Sequence, residues 1–138
     1  MIVVAIIGIL AAIAIPNFMA YQAKTKQSEA KVGLGGIFTA ATTYFAENNT
    51  FTMASISNLG YAPAGSPRYS FNYAGTTINS GSSAGTCPGT AWNSTAPAAS
   101  GTGFTAAARG NIDSDPTCDE WTIDDSRILT NTVNDVQN

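Results

Sequence analysis

The sequence contains no histidine, which removes the commonest general base and metal ligand. A Gly-rich phosphate loop, a Cys-x-x-Cys pair and a serine nucleophile elbow are missing as well. Charge is scarce, at 11% of residues with a net of −3. Its six cations are scattered and make no basic patch of the kind that holds nucleic acid. These absences argue against an enzyme, a nucleic-acid binder or a cofactor carrier. Only two cysteines occur, Cys87 and Cys118. An even count in a polar, loop-rich region behind an apolar leader reads as one disulfide formed in an oxidising compartment. Closing a loop of about thirty residues is worth roughly 3–4 kcal/mol; two unrelated buried thiols are the alternative.

What the sequence has, it concentrates at one end. Met1 to Pro16 reads MIVVAIIGILAAIAIP, without one polar side chain. As a helix this run rises roughly 24 Å, somewhat less than the roughly 30 Å hydrocarbon core of a bilayer. Gly8 weakens the helix by about 1 kcal/mol, and Pro16 removes a backbone donor at about 3 kcal/mol, so the stretch from Gly8 to Pro16 is where the helix kinks or unwinds most easily. The helical pattern continues beyond it. Ala30, Leu34, Ile37, Phe38, Ala41, Tyr44 and Phe45 recur at spacings of three and four, with Gln27, Glu29, Lys31, Thr39, Thr43 and Glu47 mostly on the other side. One helix is expected over residues 1 to about 47, stopped by Asn48-Asn49. The glycines of Gly33-Leu34-Gly35-Gly36 mark either a close approach or a soft point.

The length of 138 residues suits one domain plus this stem: an apolar half over residues 1–23 and a head over 24–138. Within the head a loop is expected over 48–67, then a sheet and disulfide region over 68–138. Tyr69, Phe71 and Tyr73 alternate and predict a strand whose aromatic face lies on Phe38, Ala41 and Phe45. Gly75 to Gly103 reads as an exposed loop with short strands around Trp92. Phe104–Arg109 is a second strand, and Glu120–Ile123 with Arg127–Val133 a hairpin across Asp124-Asp125-Ser126. The expected class is α+β, with three or four antiparallel strands on the second half of a long helix.

Lys24, Lys26 and Lys31 follow the apolar run and suit a lipid headgroup layer or an acidic partner surface, or a solvated helix face. Asn111, Asp113, Asp115, Thr117 and Asp119 have the alternate-oxygen spacing of a calcium loop. Pro116 stands where the sharp-turn glycine belongs and Thr122 where the closing glutamate belongs, so a solvated turn held by Cys118 competes with a calcium site. Asn48–Thr50 and Asn93–Thr95 fit the N-glycan sequon, and the Ser/Thr crowding at 76–105 would suit O-glycosylation. The thirteen aromatics, at 9% of residues, are explained by core packing without an electron-conducting role.

MIVVAIIGILAAIAIPNFMAYQAKTKQSEAK resembles the N-terminal helix of type IV pilins, closely over about the first 31 residues. Lys24 to Lys31 make it more similar to type IVa pilins than to secretion pseudopilins. Ala108-Arg109-Gly110-Asn111-Ile112-Asp113, leading to Asp119-Glu120-Trp121, resembles the last-strand region of some pilins. The family's mature chain opens with an N-methylated Phe followed closely by a Glu, neither of which is present, so the sequence is expected to begin a few residues inside that chain. A secretory signal peptide is the rival reading, but no basic residue precedes the apolar run.

The resemblance implies a filament subunit, first held in the inner membrane and then polymerised with itself by the pilus assembly machinery into a surface fimbrium used for adhesion and twitching motility. It also implies that the helix unwinds over the stretch corresponding to Gly8–Pro16, which the helix-breakers select independently. Residues implied for the membrane and filament core are Met1, Ile2, Val3, Val4, Ile6, Ile7, Gly8, Ile9, Leu10, Ile13, Ile15 and Pro16. Lys24, Lys26 and Glu29 are implied for polar contacts between subunits, and Cys87–Cys118 for fixing the head. A type II secretion pseudopilin, a minor pilin and a membrane-tethered binding module are the alternatives.

Overall fold

Helix α1 runs unbroken from Ile2 to Asn48 in a computed structural model that describes residues 2–79, 87, 92, 96–112 and 116–137. Its first half receives almost no packing from the head. Its second half buries Gln27, Ala30, Gly33, Leu34, Ile37 and Ala41, the three-and-four spacing of a one-sided helix. Side chains of Asn17, Thr25, Ser28, Thr39, Thr42 and Thr43 donate back to carbonyls three or four residues earlier, so these polar groups need no partner outside the helix. Asn49 ends it in the left-handed region at φ 55, its N–H donating 2.7 Å to the Phe45 carbonyl, a helix stop that asparagine tolerates well.

The connection back to the sheet is not wholly irregular, because Ile56–Leu59 forms a 3-10 turn capped by Ser55 and by left-handed Gly60. Phe51 returns the chain over the helix end, stacking on Phe45 with centroids 4.4 Å apart. Six antiparallel strands follow among the described residues: β1 Ser70–Tyr73, β2 Thr76–Asn79, β3 Ala98–Ala99, β4 Phe104–Gly110, β5 Asp119–Asp124 and β6 Leu129–Val133. Their order is β2-β1-β4-β5-β6, with β3 pairing β4 beyond the end of β1. A 3-10 turn at Asp135–Gln137 follows β6.

The expected α+β class is borne out, with more strands than the three or four expected. The additional ones are β2, whose Thr-Thr-Ile-Asn sequence carries a single large apolar residue, and the two-residue β3, so neither shows an alternating pattern. β2 pairs with β1 across Ala74 and Gly75, both at positive φ, a two-residue hairpin that matches strand twist. β6 starts at Leu129 rather than Arg127, because Arg127 sits at φ 61 inside the turn. The strands expected around Trp92 fall mainly outside the described residues; Trp92 itself is in none.

Tyr69, Phe71 and Tyr73 do share a buried face, at 0–1% exposure. Phe104 joins them at the centre, with ring centroids 5.0 Å from Phe51, 5.4 Å from Tyr73 and 6.1 Å from Phe38. The helix glycines resolve as close approaches. A Cβ on Gly33 would meet the Phe71 ring at 2.2 Å, and one on Gly36 the Tyr61 ring at 2.4 Å, while Gly35 faces open space.

Candidate functional site

Most of the apolar half of α1 stands clear of the head, and only its end at Ala23 packs against the core. Ile2, Val3, Val4, Ile6, Ile7, Ile9, Leu10, Ile13, Ile15, Phe18, Met19 and Tyr21 are each 52–77% exposed. Such a helix is long and apolar enough to cross a membrane. Left in water, it forgoes about 1.5–3 kcal/mol for each aliphatic side chain that burial would cover. Gly8 has no neighbour within 4 Å, leaving its backbone open to close approach by another helix. Of the residues implied for the core, Met1 lies outside the described residues.

Where α1 meets the head, the chain is locked by a buried polar cluster built on Asp119. One carboxylate oxygen accepts from Gln27 Nε2 at 2.9 Å, Asn131 Nδ2 at 3.0 Å and the Asp135 N–H at 3.3 Å. The other accepts from Tyr69 Oη at 2.6 Å and from Trp121 Nε1. Gln27 also donates to Asn134 Oδ1 at 3.0 Å. The cluster therefore joins the helix, the residue leading into β1, β5, β6 and the C-terminal turn at one carboxylate, and both oxygens face the interior. Burial drives the Tyr69 phenol far above its ordinary range, reinforced by its hydrogen bond to Asp119 and by the charges of Asp119, Glu29 and Asp135.

Gln27, expected among the polar positions of α1, is instead 7% exposed, and Asp119, a calcium candidate by spacing, is fully buried. Its lone pairs are taken up by donors from the chain itself. Asp113 and Asp115, the other two candidates, lie outside the described residues, as does the Asn93–Thr95 sequon. No set of three or more His, Cys, Asp or Glu side chains that could hold a metal ion occurs among the described residues. The cluster escaped sequence reading because its members are far apart in the chain and individually look like solvated residues; a buried Gln opposite a buried Asp leaves no periodic trace.

Lys26 donates from Nζ to the Ile112 carbonyl and Glu29 accepts the Arg68 backbone N–H, so both tie the helix to its own head. Lys24 is exposed, with Nζ 5.9 Å from the Tyr21 ring, and Lys31 lies 4.7 Å over the Trp121 ring. Beneath the head a groove of about 320 Å³ opens between the stem residues Pro16, Met19, Ala20 and Ala23 and the head residues Ile112 and Val136. Cys87 and Cys118 form the expected disulfide. Beyond it, Arg109 on β4 lies 3.1 Å from Glu120 on β5, both largely buried on the sheet face away from the helix.

No family model matches the chain. Among curated proteins it is similar to the type IV major pilin protein PilA of Myxococcus xanthus (strain DK1622), with 51% identity over 71 residues. The matched stretch is 51% of this chain and 32% of the relative, so the chain spans about a third of the length of the curated relative it matches. A long apolar helix carrying an antiparallel sheet on its second half, together with that likeness, bears out the resemblance to type IV pilins.

Proposed function

We propose that the chain is a structural subunit that polymerises through the apolar half of α1 into a type IV pilus on a bacterial surface, supporting adhesion and twitching motility. The observation that carries this reading is the run of bare apolar side chains from Ile2 to Tyr21 on a helix whose other half is anchored in a folded head. In this reading residues 1–23 hold the subunit in the inner membrane and later form the filament core, and residues 24–138 form the outer head. An all-round apolar helix exchanges lipid for copies of itself at little hydrophobic cost, and Gly8, Ala5, Ala11, Ala12 and Ala14 allow close packing. Of the three polar candidates for contacts between subunits, Lys24 is the exposed one; Lys26 is engaged with the Ile112 carbonyl, and Glu29 gives one carboxylate oxygen to the Arg68 N–H. Assembly machinery in the membrane is the further partner, and nothing in the proposed role requires catalysis or a cofactor. The inward-facing Asp119 gives no support to the calcium-dependent head that would mark a pseudopilin.

Electron microscopy of filaments sheared from cells, with mass spectrometry of their subunit, tests the proposal. This chain is expected as the main filament component. Filaments lacking it, or a chain that stays in the membrane fraction when overproduced, would overturn it.

A further inference from the structure

Two large apolar side chains of the head stand strongly exposed among the described residues, Val32 at 75% and Ile128 at 60%. Val32 forms the lip of a groove of about 450 Å³ whose walls include Glu29, Tyr61, Pro63, Pro67 and Phe71. Ring and proline surfaces make its floor apolar, and Glu29 sets a carboxylate at its side. Ile128 crowns the turn between β5 and β6. That turn is held by Arg127 N–H to the Asp124 carbonyl at 3.0 Å, Ile128 N–H to Asp124 Oδ1 at 2.8 Å and Asp124 N–H to the Ile128 carbonyl at 3.3 Å. Beside the isoleucine, the exposed Arg127 carries its guanidinium 5.8 Å over the Phe38 ring. The tip thus presents an apolar knob and a cation in a set backbone conformation, which lowers the ordering cost of docking.

Knob and groove lie on different sides of the head. The groove runs beside β1, whereas the turn joins β5 and β6 at the other side of the β2-β1-β4-β5-β6 order. A patch that complements a different patch on the same molecule makes a heterologous contact, which propagates from copy to copy. We propose that the Arg127–Ile128 tip of one copy seats in the groove of the next, with Ile128 on the apolar floor and the guanidinium facing Glu29. This rests on the filament reading and adds to it a specific lateral contact between heads.

Cross-linking in intact filaments tests it. In a chain carrying Val32→Cys and Ile128→Cys, mild oxidation is expected to yield a ladder of covalent multimers that collapses on reduction, and neither single variant yields one. Filaments of the double variant without a ladder overturn the contact and leave the filament reading standing; an unaltered chain that forms no filaments overturns both. Where the cysteine variant fails to assemble, Arg127→Glu decides. It is expected to cut filament yield about tenfold, the equivalent of about 1.4 kcal/mol, with recovery when Val32→Lys supplies a cation at the groove's lip. Yield unchanged by Arg127→Glu overturns the contact.

Discussion

Asp119 carries more of the head's internal order than any other side chain described above. Five donors converge on its two oxygens, and an ionised carboxylate is the side chain that offers acceptors on both oxygens and no donor of its own. Asp119→Asn keeps the shape but turns one acceptor into a donor, which then faces Trp121 and Tyr69 or Gln27 and Asn131. Leaving such groups unsatisfied in a buried network is expected to cost about 2–4 kcal/mol, read as a lower denaturant midpoint for the detergent-solubilised chain. Two neighbouring glycines make a contrasting pair. Gly33→Ala drives a methyl into the Phe71 ring and is expected to destabilise by about 1–3 kcal/mol. Gly35→Ala meets nothing and is expected to stabilise by about 0.5–1 kcal/mol through helix propensity. Equal effects at both positions would refute the packing at Gly33.

At the scale of elements, α1 is two helices in one. Its one-sided half was legible from Ala30 to Phe45 because burial against a sheet imposes a period, and its bare half because composition alone excludes water. β1 and β5 were legible where large apolar residues alternate, Phe71 and Tyr73 in one, with Tyr69 just before it, and Trp121 and Ile123 in the other, and β4 only from Phe104 and the apolar run behind it. Gln27 and Asp119 were not, since what buries a polar residue is a partner 92 positions away, and local pattern holds no record of that. β2 and the Ala74-Gly75 turn were missed for a related reason, as alanine is a poor signal for a left-handed position. Within the bare half, Gly8 and Pro16 lie in unbroken helix in the isolated chain. In an assembled filament residues 8–16 are expected to be partly non-helical. A high-resolution map with continuous helical hydrogen bonds across them would sink that expectation.

For the molecule as a whole, the buried phenols set an alkaline limit. Burial, with a smaller contribution from Tyr44, pushes Tyr73 up to about 12, and Tyr69 lies higher still. Both therefore bind their protons more tightly in the folded head than in the unfolded chain, where tyrosine titrates near 10.0. Their contribution to stability is complete below that value and is lost as pH rises from there through about 12 and beyond. The melting temperature is expected to hold up to about pH 10 and then fall, with phenolate absorbance from these two tyrosines appearing only as the fold is lost. Their early ionisation in a still-folded head would count against the burial described.

The position of the Asp119 cluster has a mechanical consequence. Because Gln27 is pinned to the sheet, pulling force on the chain reaches the head at a fixed point and cannot peel the helix away gradually. Compliance falls to the free stem, where Pro16 has already removed one helical hydrogen bond. Drawing residues 8–16 from helix to extended backbone lengthens the subunit by about 15 Å without disturbing a single contact of the head. Under load the stem behaves as a spring in series with a rigid block.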